Sequence, residues 1–138
     1  MPTVLFVDDE PAILDGLRRA LWREPYVVIT ADSAARGLEI LATTRVDVVV
    51  SDERMPVMSG SEFLGRVRDA YPGVVRIMLT GEAALPDAVN QGSLDRFLHK
   101  PMSPTELTRT IQQAIFSKLL MDQRAALFGG DPAVPPRE

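Results

Sequence analysis

Apolar residues in this chain follow two rhythms, and the two take turns along its length. The first is the short, mostly apolar run: Thr3–Val7 (TVLFV), Tyr26–Ala31 (YVVITA), Val46–Ser51 (VDVVVS), Val74–Leu79 (VVRIML) and Arg96–His99 (RFLH). Each reads as a strand; the Val-rich run at Val46–Ser51 reads as one buried on both faces of a parallel sheet, and Thr3–Val7 as a buried one. The second rhythm repeats every three or four residues. Ile13, Leu14, Leu17, Ala20 and Leu21 make one stripe, with Arg18, Arg19 and Arg23 on the other side. Ala34, Leu38 and Leu41 make another behind a capping Ser33, and Phe63, Leu64, Val67 and Ala70 a third, after Gly60. Each predicts an amphipathic helix with its apolar face inward. Pro11 suits a first helical turn, while Pro25 and Pro72-Gly73 are stops. Pro86–Gln91 has room for a short helix only, followed by Gly92. Ser103 and Glu106 have capping-box spacing around Pro104. They open a last helix carrying Leu107, Ile111, Ala114 and Ile115, whose pattern persists through Leu119, Leu120 and Ala125 towards Phe128.

Five strand–helix alternations predict an α/β fold, a doubly wound parallel sheet with helices on both faces. The expected organisation is one domain over residues 1–117, a helical extension or linker over 118–128, and a Pro-rich, disordered tail over 129–138. A length of 138 residues with 46% apolar and 25% charged content fits one globular domain with a real core. The net charge of −4 argues against direct nucleic-acid binding. No cysteine is present, which removes disulfides, thiolate nucleophiles and Cys-type zinc sites. No apolar run approaches the ~20 residues of a membrane span, and MPTVLFVDDE does not look like a signal peptide. A cytoplasmic location is therefore expected.

The chemistry collects at the strand ends. The first run ends in Asp8 and Asp9, the third in Asp52, the fourth in Thr80, and the fifth in Lys100. In an open α/β sheet these ends share one rim, where ligands bind. Three carboxylates gathered there need a cation, and an all-oxygen donor set favours Mg²⁺ or Mn²⁺. A hydroxyl and an ammonium beside them suit a phosphoryl group. An aspartate can itself accept that group as an acyl phosphate.

These residues sit in recognisable strings: VDDEP at the first strand end, SDERMPVMSG around Asp52, LTG at Leu79–Gly81 and FLHKP at Phe97–Pro101. Together, in this order, they resemble the receiver domain of two-component response regulators over about Thr3 to Ile115. The resemblance implies a flavodoxin-like strand order 2-1-3-4-5. It implies Asp52 as phospho-acceptor, and Mg²⁺ held by Asp9, by Asp8 largely through water, by Asp52 and by the backbone carbonyl of Arg54. Thr80 and Lys100 would bind the phosphoryl oxygens, helped by the backbone N–H groups of Glu53 and Gly81. Phe97 takes the aromatic switch position and moves inward as Thr80 turns to the phosphate. Pro101 stands where the family often has a cis peptide bond. The implied donor is a sensor histidine kinase or a histidine phosphotransfer protein, and the implied role is signalling, not turnover of a separate substrate.

Three departures from the family bear on the outcome. The stretch from Thr80 to Lys100 is shorter than usual, so the fourth helix is expected to be stunted and the output face altered. Arg54 and Glu82, each two residues past a site residue, are expected to pair across the mouth and slow hydrolysis of the acyl phosphate. The last helix is longer than the domain needs, which suits a homodimer contact or a linker. Two other functions compete. A metal-dependent aspartyl-phosphate phosphohydrolase commonly has a second Asp as general acid close after the nucleophile, and Arg54 stands two residues after Asp52. A pseudo-receiver that only binds partners would not need the full acidic set with Thr80 and Lys100.

Overall fold

The computed structural model describes residues 1–81, 96–100 and 103–129. Its elements are β1 (Thr3–Val7), α1 (Pro11–Leu21), β2 (Val27–Ala31), α2 (Ala34–Thr43), β3 (Val48–Asp52), α3 (Gly60–Ala70), β4 (Val75–Thr80), β5 (Arg96–His99) and α4 (Pro104–Arg124). One π-helical turn, Ala125–Gly129, prolongs α4. All the strand pairings are parallel, in the order β2-β1-β3-β4-β5. The doubly wound, five-stranded α/β fold and its strand order are thus those expected. The short helix expected at Pro86–Gln91, the Arg54–Glu82 pair, the peptide bond at Pro101 and the tail from residue 130 fall outside the described residues.

Alternation along each strand builds two cores. Leu5, Val7, Val49 and Met78 point to one face and pack under α2 and α3, against Ile40, Leu41, Phe63, Leu64 and Val67. Val4, Phe6, Val48, Val50, Ile77 and Leu79 point to the other and pack under α1 and α4, against Leu14, Leu21, Leu107 and Ile111. Burying a side chain of this size stabilises by about 1.5–3 kcal/mol, so these two layers fix the sheet on which the rim is built.

Local signals mostly act as their chemistry dictates. Ser33 caps α2, Ser59 caps α3, and Ser103 with Glu106 forms the full capping box on α4. Three apolar residues read as inward are instead exposed: Ile13 and Ala20 on α1, and Ala70 on α3. The buried stripe of α1 is the narrower Leu14–Leu17–Leu21 line, and Ile13 and Ala20 lie on its flanks. Strand β3 starts two residues later than the apolar run and continues through Asp52.

Past Ser117, α4 remains tied to the body. Lys118 Nζ bonds Asp122 at 2.6 Å, and Asp122 accepts from Arg45, in the α2–β3 connection, at 3.3 Å. Phe116, Leu119, Leu120 and Met121 of the same helix are exposed. Among the described residues no helix is long and apolar enough to cross a membrane.

Candidate functional site

Parallel strands end together, so the last residues of β1, β3, β4 and β5 arrive at one edge. Asp52 is the final residue of β3 and is buried. Asp8 follows β1 directly; its N–H bonds the carbonyl of Ala31 at the end of β2 at 3.1 Å, which fixes where its side chain starts. Thr80, the last residue of β4, is buried, and its carbonyl accepts the N–H of Lys100 at 2.8 Å. That bond extends the β4–β5 ladder by one step and brings the lysine amine to 2.6 Å from Asp52 Oδ1.

One oxygen each from Asp8, Asp9 and Asp52 lies within 4.8 Å of the others. Asp8 is the most confined. Its Oδ1 accepts the N–H of Glu10 at 2.9 Å, while its Oδ2 is buried with no hydrogen-bond partner. Burial holds the Asp8 carboxyl above its ordinary pKa of 3.8. The Glu10 N–H opposes that rise, Asp52 and Asp9 add to it, and Lys100 opposes it. Three carboxylates against one ammonium leave a surplus of negative charge. An orphaned buried oxygen facing two more carboxylates is what a hard divalent cation relieves, so the donor set fits Mg²⁺.

Above the cluster opens a cavity of about 320 Å³ lined by Asp9, Glu10, Asp52, Glu53, Arg54, Thr80, Gly81 and Lys100. Arg54 is exposed at this mouth. Phe97 stands apart: it pairs in register with Met78, does not line the cavity, and is 41% exposed.

Two features of the loop after Asp52 escaped sequence reading. Gly60 is required by close approach, because a Cβ there would sit 2.2 Å from the carbonyl oxygen of Asp52. Val57 is fully exposed with φ of 72°, and the Met58 N–H bonds the Pro56 carbonyl across it at 2.7 Å. That is a γ-turn on the unfavourable side of the map, centred on a β-branched residue. The Gly60 position was visible in the MSG string, but a glycine's reason is not written in the sequence. Nothing about Val57 signals a positive φ.

With this geometry in place, comparison with known proteins is specific. The response regulator receiver domain family matches residues 4–112. The chain belongs to that family. The receiver is 39% identical to the transcriptional regulatory protein GlrR of Escherichia coli K12 over 114 residues, 81% of this chain and 26% of GlrR. It therefore spans about a quarter of the length of that relative. Among solved structures, the signal receiver domain of an HD domain-containing protein from Pseudomonas fluorescens Pf-5 superposes with a TM-score of 0.84 at 35% identity, covering 89% of this chain and 93% of that one. The response regulator TrrA of Thermotoga maritima, solved in complex with Mg²⁺ and BeF, superposes with a TM-score of 0.76 at 28% identity, covering 83% of this chain and 99% of that one. The receiver is accordingly a two-component signalling module.

Proposed function

We propose that Asp52 is the phospho-acceptor of this receiver, charged by a sensor histidine kinase or a histidine phosphotransfer protein. The observation that carries the reading is the 2.6 Å contact of Lys100 Nζ with Asp52 Oδ1 inside a cavity also lined by Thr80 and Asp9. Asp52 Oδ attacks the phosphorus of a phosphohistidine; the P–N bond breaks, a P–O bond forms, and the imidazole takes up a proton. Lys100 pairs with one oxygen of the transferred group, and the Thr80 hydroxyl donates to another. The N–H groups of Glu53 and Gly81 complete the cradle. Asp8, Asp9, Asp52 and the carbonyl of Arg54 would hold Mg²⁺, which supplies charge neutralisation for phosphoryl transfer. Thr80 and Phe97 form the switch: new phosphate contacts bias an equilibrium between arrangements that already exist.

TrrA binds Mg²⁺ and BeF on the same fold, which supports the same ligand class here. A cytoplasmic location goes with this reading, because the donor kinase works on ATP. Residues 1–117 serve as the receiver and 118–128 as a helical extension or linker, a division supported by α4 running past the family match at residue 112. Whether that extension pairs two copies is decided by light scattering with and without the residues after Ser117. The phosphohydrolase alternative is disfavoured by Arg54 where a general acid would stand.

The experiment is incubation with acetyl phosphate and Mg²⁺, read by intact mass. One phosphoryl adduct is expected on the wild type and none on Asp52→Asn. An adduct that survives that substitution overturns the assignment, as does sustained turnover of a small phosphate ester.

A further inference from the structure

The α3 amino terminus is held in an unusual way. The first four backbone donors of a helix have no partner within it. Here the Gly60 N–H goes to the Glu53 carbonyl at 2.9 Å, and the Ser61 N–H goes to the Glu53 carboxylate at 2.7 Å. The Glu62 N–H goes to Ser59 Oγ, and the Phe63 N–H to the Ser59 carbonyl is the first bond of the helix's own ladder. One residue, Glu53, thus satisfies two of the four. Its Oε1 also accepts the Ser61 hydroxyl at 2.8 Å. The carboxylate sits at the positive end of an eleven-residue helix, where the dipole favours it.

Glu53 is also the residue immediately after Asp52. Its peptide is shared with the acceptor, and Gly60 is pressed so close to the Asp52 carbonyl that no side chain fits between them. The carboxylate of Glu53, gripping Ser61 eight residues on, therefore pins both ends of the loop that surrounds the acceptor. The grip fixes the backbone of Glu53 and, one peptide further, the carbonyl of Arg54. Within that loop Val57 sits at a positive φ in its γ-turn.

We propose that Glu53 is a positioning residue for phosphoryl and cation binding. Its carboxylate acts through Ser61 and α3, and aims the Glu53 N–H and the Arg54 carbonyl into the cavity. A carboxylate beside the phosphoryl site would otherwise repel the incoming anion; engaged by two donors at the helix end, it instead orders the cradle. The inference rests on the proposed role of Asp52 and the cation. It extends that role to a side chain that touches neither ligand.

The test measures binding of beryllofluoride with Mg²⁺ by calorimetry, well below the melting temperature of each protein. Glu53→Ala is expected to lose about tenfold in affinity, the scale on which supporting residues around a metal site act. Glu53→Gln keeps an oxygen that accepts from both Ser61 donors and is expected to recover most of the loss. Ser61→Ala removes one of the two donors and falls between. A purely structural role would lower the melting temperature of the Ala variant and leave the affinity of the folded protein unchanged; that result overturns the inference. So does a Gln variant as weak as the Ala variant, because charge and not aim would then be the cause. If the wild type itself fails to bind beryllofluoride with Mg²⁺, the underlying assignment of Asp52 is what falls.

Discussion

Replacing Asp8 by Asn should make the protein more stable in the absence of divalent cations, and this follows from the geometry of the acidic cluster. Asp8 Oδ2 is buried without a partner, and carboxylate oxygens of Asp9 and Asp52 lie within 4.8 Å. At an effective dielectric of about 20, two like charges at that distance repel by about 3.5 kcal/mol, and Lys100 returns part of this. Leaving a buried polar atom unpaired costs about 1–3 kcal/mol. An asparagine keeps the oxygen that accepts the Glu10 N–H, removes one charge, and turns N–H donors towards the remaining carboxylates. The expected gain is about 1–3 kcal/mol at pH 7 in EDTA, read by urea denaturation.

Two controls give the prediction its sign. First, a raised carboxyl pKa in the folded protein means that folding favours the protonated form. Its contribution is complete below the ordinary value of 3.8 and is lost as pH rises through the higher folded value. Wild-type stability without metal should therefore carry a downward slope above pH 4 that the Asn variant lacks. Second, a cation at ten times its dissociation constant stabilises the folded state by about 1.4 kcal/mol. Wild type should gain that from Mg²⁺, and Asp8→Asn much less. An Asn variant that is less stable than wild type in EDTA refutes the reasoning, as does one that gains as much from Mg²⁺.

Three further substitutions probe the surroundings. Gly60→Ala drives a methyl group into the Asp52 carbonyl and should cost about 3 kcal/mol, with loss of beryllofluoride binding in whatever folds. Val57→Gly relieves a left-handed backbone that costs an L-residue about 1–2 kcal/mol. Glycine gives back about 0.5–1 kcal/mol in the unfolded chain, so the thermal midpoint should rise by a few degrees. Tyr26 is buried with no partner for its hydroxyl, and burial, helped by Glu24, pushes its pKa up to about 12. Its stabilising effect is complete below pH 10 and lost as pH rises towards 12; Tyr26→Phe should unfold over a flatter alkaline range and be no less stable at pH 7.

The sheet was legible because the central strands β1, β3 and β4, buried on both faces, leave mostly apolar runs, and the half-buried edge strands β2 and β5 still leave short apolar ones. Asp52, Thr80 and Lys100 were legible because an abrupt polar residue at the end of such a run has to lie on the rim. Helix faces were less legible: Ile13, Ala20 and Ala70 are apolar and exposed, since composition says what a residue tolerates and not how wide a stripe its neighbours cover. The loop from Glu53 to Gly60 was least legible of all. Its geometry is set by a carboxylate reaching eight residues ahead and by a turn that valine does not prefer, and neither leaves a periodic trace.

Helix α4 starts four residues past Lys100, and its 21 residues span about 31 Å towards the end of the sheet where Met1, Thr3 and Asp47 lie. There it is fastened by Arg45 to Asp122, an exposed contact of the kind worth about 0–1 kcal/mol. That contact alone yields easily, while the buried Leu107, Ile111 and Ala114 hold the first part of the helix to the sheet. Each degree of tilt at the Lys100 end then swings Arg124 by about half an ångström. The length of the helix makes it a lever: a tilt too small to reshape the rim would be magnified into a displacement of the exposed Leu120 and Met121 at the other end.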